Sequence, residues 1–256
     1  MTRRTLRRGL TAVALGAALA PAVALAGKPV TSGDQKLQVK ASLSPARAGA
    51  KPATLGVQVS YTNPKSPGQQ PPYNTKKLIF TGRYLVHPST VPACKLSSNM
   101  NAGGKTSGCP ANTKVGTGTV VVNAAPTIKQ PITGNVTIYN GVNDNGSGGH
   151  PKGAQALFLY VQTSVHVNVT DVFYIHRSPN GGTTLIASVS KPKKPGVTPG
   201  SFTIQHIKLS VSAGTAAKPY LSDATSCPGS WPFSFTIDNW FNQPSVTAHD
   251  KVACTK

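Results

Sequence analysis

Carboxylates are the side chains best suited to hydrolytic chemistry in this 256-residue chain, and the chain holds few of them. A carboxylate-based hydrolase holds two acids across the bond that it cleaves. Asp171 lies in the middle of a predicted strand, on the same side as Val167, Val169 and Phe173. It is either a buried functional acid or, as we favour, part of a strand bulge or a satisfied edge position. The acids are all aspartates, and they are Asp34, Asp144, Asp171, Asp223, Asp238 and Asp250.

Histidines and serines form no recognisable catalytic or metal-binding motif. The six histidines have neither H-x-H nor H-E-x-x-H spacing. His166 and His176 share one face of a predicted strand, but ten residues of strand separate them by about 33 Å. No G-x-S-x-G nucleophile motif occurs, and the glycines at 116 and 118 indicate a flat or bulged strand start, not a phosphate loop.

These observations predict a protein without catalytic residues, metal or cofactor. The alternative is an extracellular hydrolase or lyase with a site borne on loops. Such a site would gather Asp171 or another aspartate with a histidine in one concave pocket.

Four cysteines form two local couples, Cys94 with Cys109 and Cys227 with Cys254. Three pairings are open in principle. We favour the two local disulfides, because each couple brackets a segment that resembles a loop plus strand or a hairpin. Zinc binding is the competing interpretation, although neither couple has C-x-x-C spacing or a nearby histidine.

Aromatic residues alternate along the segment from Trp231 through Phe233 and Phe235 to Ile237. An exposed row of this kind could stack against sugar rings. We instead expect a core strand, with Trp231 packed near the Cys227–Cys254 disulfide.

A turn that follows this strand, together with a basic loop, offers the better candidates for exposed recognition. Trp240 and Phe241 lie beside Asp238 and two asparagines in the predicted turn. The segment 191–194 forms a small basic cluster in a solvated loop. The candidate recognition residues are therefore Trp240, Phe241, Lys191, Lys193 and Lys194.

The first 26 residues have the layout of a bacterial secretory signal peptide. A head with four arginines precedes a short apolar run over 9–20 and the tripeptide Ala24-Leu25-Ala26. We predict cleavage after Ala26, by way of either the Sec or the twin-arginine route. The remaining region, 27–256, carries no further long apolar segment, so we expect a secreted protein without a stable membrane anchor.

The charge balance favours anionic partners. The chain has 26 lysines and arginines against six acids, and loss of the four signal arginines leaves a formal charge of +16. Cell-wall polymers and acidic extracellular polymers fit this charge, and another envelope protein is a further partner class. We do not expect nucleic acid. A charge that merely keeps the protein soluble is an equal alternative, because the lysines are scattered singly.

Strand periodicity dominates the chain after residue 26. Apolar and polar residues alternate with period two in eleven segments, which are separated by turn-forming Asn-Gly, Pro-Pro and Gly-rich stretches. The segments are 37–43, 55–61, 77–86, 114–123, 132–140, 155–163, 166–176, 183–190, 202–212, 231–238 and 245–254. They predict an all-β protein, an antiparallel two-layer sandwich of immunoglobulin-like type. A division near residue 125 into two sub-domains is the alternative to one continuous unit.

Several motifs resemble a group of secreted β-domain proteins from actinobacteria. The resemblance rests on Cys109-Pro110 leading into Lys114-Val115-Gly116-Thr117-Gly118, on the strand 131–139, and on Cys227-Pro228 before Trp231. Thr113 stands where those proteins usually have serine, and the tyrosine of the second motif is displaced. The resemblance implies an extracellular location and a β fold, and it assigns no catalytic residue.

Together, these features predict a secreted, non-catalytic protein of the bacterial cell envelope or exterior. Its role would be binding, adhesion or structural support, with lysines and loop aromatics in contact with anionic polymers.

Overall fold

The computed structural model describes residues 27–49, 51–66, 68–100, 108–124, 128–166, 168–178, 181–196 and 203–256. The predicted signal peptide, 1–26, lies outside the described residues. Within them, no helix has the length and apolar character needed to cross a membrane.

The described residues form fifteen strands and very little helix, which confirms the predicted all-β class. One short helix, α1 (Leu96–Met100), and two 3₁₀ turns, Pro88–Thr90 and Ala111–Thr113, complete the set. The strands are β1 (Val30–Ser32), β2 (Gln35–Ser44), β3 (Thr54–Thr62), β4 (Thr75–Gly82), β5 (Tyr84–Val86), β6 (Cys94–Lys95), β7 (Lys114–Ala124), β8 (Ile128–Val142), β9 (Gln155–Thr163), β10 (Asn168–Arg177), β11 (Thr183–Ser188), β12 (Thr203–Val211), β13 (Leu221–Asp223), β14 (Ser230–Asn239) and β15 (Val246–Ala253).

Each of the eleven predicted segments coincides with an observed strand. The segment 77–86 divides at Arg83 into β4 and β5, and the patterns missed β1, β6 and β13. Gly116 at the start of β7 lies at a register shift that follows Lys114, as expected for a bulged strand start, whereas Gly118 lies in regular register opposite Val136. A Cβ at Gly118 would overlap the backbone oxygen of Lys208, so β12 approaches too closely for any other residue.

Most strands belong to one large antiparallel sheet. Its order is β1-β2-β3-β12-β7-β8-β9-β10-β11-β4-β14-β15, and β6 adds to β8 in parallel. The sheet runs through β7 and β8, the strands that flank position 125, without interruption. Its two ends curl towards each other, and the backbone N–H of Ala41 in β2 donates to Asp250 Oδ2 in β15 at 2.7 Å. The predicted layers therefore face each other within one nearly closed sheet.

The core fills the inside of this curled sheet because alternate side chains of every long strand point inward. In β2 the inward residues from Leu37 to Leu43 are buried, while Lys40 and Ser42 between them are exposed. The predicted core strand β14 is confirmed. Trp231 is fully buried, and its indole N–H donates to the Ser226 carbonyl beside Cys227.

One end of the curled sheet is plugged by a small ribbon that pairs β5 with β13. Tyr84 and Tyr220 are fully buried there, and the Tyr220 hydroxyl donates to Asn140 Oδ1 at 3.0 Å. At the opposite end, the segment 189–196 follows β11 and lies against Asn74 and Trp240. The two ends of the molecule are therefore built differently.

Candidate functional site

The four cysteines form the two predicted disulfides. Cys94 pairs with Cys109 across a Cα–Cα distance of 5.3 Å, and Cys227 pairs with Cys254 at 5.8 Å. No free cysteine occurs in the described part of the chain. The pairing removes the cysteines as metal ligands or nucleophiles. Throughout the described ranges, no three metal-ligating side chains converge.

The predicted recognition residues divide into two sets. Lys191 lies over both aromatic rings, with its Nζ 5.8 Å from the centre of Trp240 and 5.4 Å from the centre of Phe241. Both aromatic residues are half-buried, and Lys76 Nζ also lies 5.3 Å from the Trp240 ring. Lys193 and Lys194 are exposed in the same loop. Cation–π contacts therefore already occupy the rings, which leaves less aromatic surface for stacking on a partner.

The aspartates divide into surface and interior groups. Lys65 pairs with Asp34 at 2.6 Å and Lys76 pairs with Asp238 at 3.5 Å. Ser97 donates two hydrogen bonds to Asp144, which lower the pKa of that carboxyl. Asp223 and Asp250 are buried, and Asp171 faces inward. Half of the acids are thus withdrawn from the outer surface, and the exterior is more basic than the composition alone indicates.

A serine–histidine contact, which the sequence patterns did not predict, lies at the plugged end. Ser222 Oγ and His87 Nε2 are 2.8 Å apart, and burial, with help from nearby Arg177, lowers the pKa of His87. Ser222 has no accessible surface, so no substrate reaches its hydroxyl. The adjacent Asp223 is also fully buried, which raises the pKa of its carboxyl to about 6, and it accepts the backbone N–H of Arg47. The arrangement is buried in the plugged end and lacks the access that acyl transfer needs.

Asp171 lies in regular register in β10, opposite Leu159 of β9, so the expected bulge is absent. The expected edge position fits only in part. The β10–β11 ladder starts only at Tyr174, but within the described residues no hydrogen bond or ion pair satisfies the Asp171 side chain. Among the described residues that line the cavities at Asp171, none is a histidine. The hydrolase alternative therefore finds no support in an aspartate–histidine pocket there.

The strongest candidate for a binding surface is the outward side of β2, β3 and β12, which we call the basic face. Gln58 of β3 lies opposite Lys40 of β2 on one side and opposite Lys208 of β12 on the other. In the neighbouring row, Ser60 lies between Gln38 and His206. With strands about 4.8 Å apart, the Cα atoms of Lys40 and Lys208 are about 10 Å from each other.

A shallow groove of about 270 Å³ runs along the basic face and continues onto β7. Amide and hydroxyl groups stand between its cationic side chains. The polar side chains that line it are Gln38, Lys40, Gln58, Ser60, Thr119, His206 and Lys208. The strands β2, β3, β7 and β12 contain no acidic residue. This arrangement suits a linear anion that accepts hydrogen bonds along its length.

The sequence patterns missed the basic face because its lysines are far apart along the chain. The period-two parity of Lys36, Gln38 and Lys40 does indicate that they point the same way. Parity does not predict that β12 pairs with β3, and this pairing brings Lys208 to the same surface.

Comparison with known proteins supplies no relative from which a function can be transferred. No protein-family model, no curated protein and no solved structure matches the chain. The resemblance to secreted actinobacterial β-domains stays a prediction, and the functional argument rests on geometry and charge.

Proposed function

We propose that this protein is a secreted, non-catalytic binding protein of the bacterial envelope or exterior, and that it holds anionic polymers on the basic face. The observation that carries the proposal is the row Lys40–Gln58–Lys208, fixed by strand pairing on a surface whose four strands contain no acid. Two disulfides support an oxidising, extracellular setting.

Rigid strands favour this surface over the loop at Lys191 for polymer binding. Side chains on a sheet keep a constant spacing, so a polymer with regularly repeated anionic groups meets several cations at once. Each contact releases a condensed counterion from a linear polyanion, and the affinity therefore falls as salt rises. The Lys191 side chain is instead held over the Trp240 and Phe241 rings.

The test is binding of purified poly(glycerol phosphate) teichoic acid across a salt series. We expect Lys40→Gln combined with Lys208→Gln to weaken binding about tenfold at low salt and to reduce the slope of log affinity against log salt by roughly 1 to 2 units. A matched control, Lys152→Gln combined with Lys218→Gln, removes the same charge away from the basic face and should change little.

A second control, Lys191→Gln combined with Lys193→Gln, separates the two candidate surfaces. If this variant loses binding while the Lys40/Lys208 variant keeps it, the binding surface is the loop and the basic face is wrong. Absence of retention by the wild-type protein even at low ionic strength would overturn the electrostatic function itself.

A further inference from the structure

The wall of the sheet opens between β10 and β11. The ladder between β9 and β10 covers Asn168–Tyr174, whereas the ladder between β10 and β11 covers only Tyr174–Arg177. The first half of β10 therefore has a strand partner in β9 and none in β11. Where two strands separate, their facing edges are unpaired. The opening between them connects the inside of the sheet with its outer surface.

A cleft of about 570 Å³ occupies this gap. Tyr160, Thr170 and Tyr174 line it from the outer face, because they alternate with the core-facing positions of β9 and β10. Leu78 and Ala187, which oppose each other in β4 and β11, line it from the inner side. A cleft lined by both faces must pass between the strands.

Inside the sheet, the cleft adjoins an apolar cavity of about 80 Å³. Leu78 and Asp171 line both spaces, so they mark the junction. The remaining cavity walls are aliphatic and aromatic, with Leu159, Phe173 and Leu185 among them. Of the described residues that line either space, none is lysine, arginine or histidine, and the titratable ones other than Asp171 are Tyr84, Tyr160 and Tyr174.

The Asp171 carboxyl is the unusual group at this junction. Throughout the described ranges, no hydrogen bond or ion pair to its side chain occurs, and desolvation raises its pKa. Asp171 is partly accessible and lies where the apolar cavity meets the more polar cleft. A carboxylate without a partner beside an apolar cavity is costly, and a cation placed beside it removes that cost. An anion at the same place would meet a like charge.

We propose that the cleft and the cavity form one binding site for an alkylammonium ligand, with its ammonium group against Asp171 and its alkyl end in the apolar cavity. A cavity of about 150 Å³ in another protein holds a benzene ring. The cavity here has about half that volume, so it fits a short alkyl end. The outer cleft, lined by Tyr160 and Tyr174, holds any second substituent on the ammonium nitrogen. One face of the Tyr174 ring is already covered by His150, whose ring centre lies 3.5 Å away.

The Asp171 carboxyl lies away from the lysines of the basic face, although Val59 and Ile207 line both the groove there and the apolar cavity. In the sheet order β12-β7-β8-β9-β10, three strands separate Asp171 from the strand that carries Lys208. Binding of a cation at Asp171 and binding of a polyanion at Lys40 and Lys208 can therefore fail separately.

The test compares propylammonium, propan-1-ol and propanoate as ligands of the intact protein by titration calorimetry at pH 7.5. We expect propylammonium to bind at least about tenfold more tightly than propan-1-ol, because a charge-assisted hydrogen bond is roughly twice as strong as a neutral one. Propanoate should not bind. Asp171→Asn should keep the affinity for propan-1-ol and lose the preference for the ammonium. Asp34→Asn makes the same charge change outside both spaces and should keep that preference.

Wild-type protein provides a second readout that needs no variant. Because burial raises the pKa of Asp171, the preference for propylammonium over propan-1-ol should increase as pH rises through that pKa and disappear below it. Equal binding of propylammonium and propan-1-ol by the wild-type protein, binding of neither, or an unchanged preference in Asp171→Asn would each overturn the proposal.

Discussion

Replacement of Asp250 by alanine tests whether this side chain joins the two ends of the sheet. Asp250 is 4% exposed, and its Oδ2 accepts the backbone N–H of Ala41 at 2.7 Å. Because that N–H points towards β15, it takes no part in the ladder with β3. Gly27 lies in the same seam, where a Cβ would overlap the carbonyl oxygen of His249. A side chain and a glycine thus stand where a regular ladder would otherwise continue.

The magnitude follows from the groups left behind. A hydrogen bond to a charged acceptor contributes about 1.5–3 kcal/mol, and Asp250→Ala leaves the Ala41 N–H without its acceptor. Asp250 Oδ1 is buried without a hydrogen bond within the described structure, which is unfavourable. Because the substitution also removes this oxygen, part of the loss of stability is offset. We expect Asp250→Ala to lower the free energy of unfolding by about 2 kcal/mol, and Asp250→Asn, which keeps an acceptor oxygen, by about 1 kcal/mol or less.

Urea unfolding at pH 7 with the disulfides intact measures this difference. In a protein of this size, 2 kcal/mol corresponds to a fall in Tm of about 4–8 °C. Hydrogen exchange at the Ala41 amide gives the local readout, since protection there should fall in the alanine variant and persist in the asparagine variant. If both variants unfold at the same urea concentration as the wild type, Asp250 does not hold the seam and the reasoning fails.

Two further predictions concern the plugged end and the disulfides. Burial raises the pKa of Asp223 from 3.8 to about 6, so its protonated form stabilises the fold below pH 4 and this contribution is lost as pH rises through 6. Asp223→Asn should therefore raise the free energy of unfolding at pH 7.5 by up to about 3 kcal/mol. The free energy of unfolding of this variant should also change less between pH 4 and pH 6 than that of the wild type. An unaltered pH profile would contradict the prediction. Replacement of Cys227 and Cys254 by alanine should lower the free energy of unfolding, measured in urea, by about 3.5 kcal/mol. Replacement of Cys94 and Cys109 should lower it by about 3 kcal/mol, because the first disulfide closes a loop of 27 residues and the second a loop of 15. The reverse order would show that loop length does not control the effect.

Local patterns were enough to predict the long strands and the disulfides. In β2 and β14 the alternation of apolar and polar residues matches the alternation of buried and accessible side chains almost position by position. The two cysteine couples were predictable because each closes a short segment whose ends the strands bring together. Short elements such as β13 were missed because three residues carry too little periodicity to be distinguished from a loop.

The candidate sites were less predictable. Trp240 and Lys191 were both identified from the sequence, but their contact depends on how the segment after β11 crosses the end of the sheet. The parity that Asp171 shares with Phe173 was consistent with the inward side of its strand, although a bulge or an edge position was the favoured interpretation. The gap beside it depends on where the β10–β11 ladder begins, which alternation along one strand does not encode.

By itself, the sequence determined which side chains point inward and which point outward, because that property depends only on the two-residue repeat of a strand. It also determined the basic excess and the disulfide couples. Only the tertiary structure decided which strands are neighbours. Lys208 reaches Lys40 because β12 inserts between β3 and β7, and Asp171 meets Leu78 because β10 and β4 flank the same short strand, β11. Such contacts join residues far apart along the chain, and the packing of the whole sheet, not local preference, selects them.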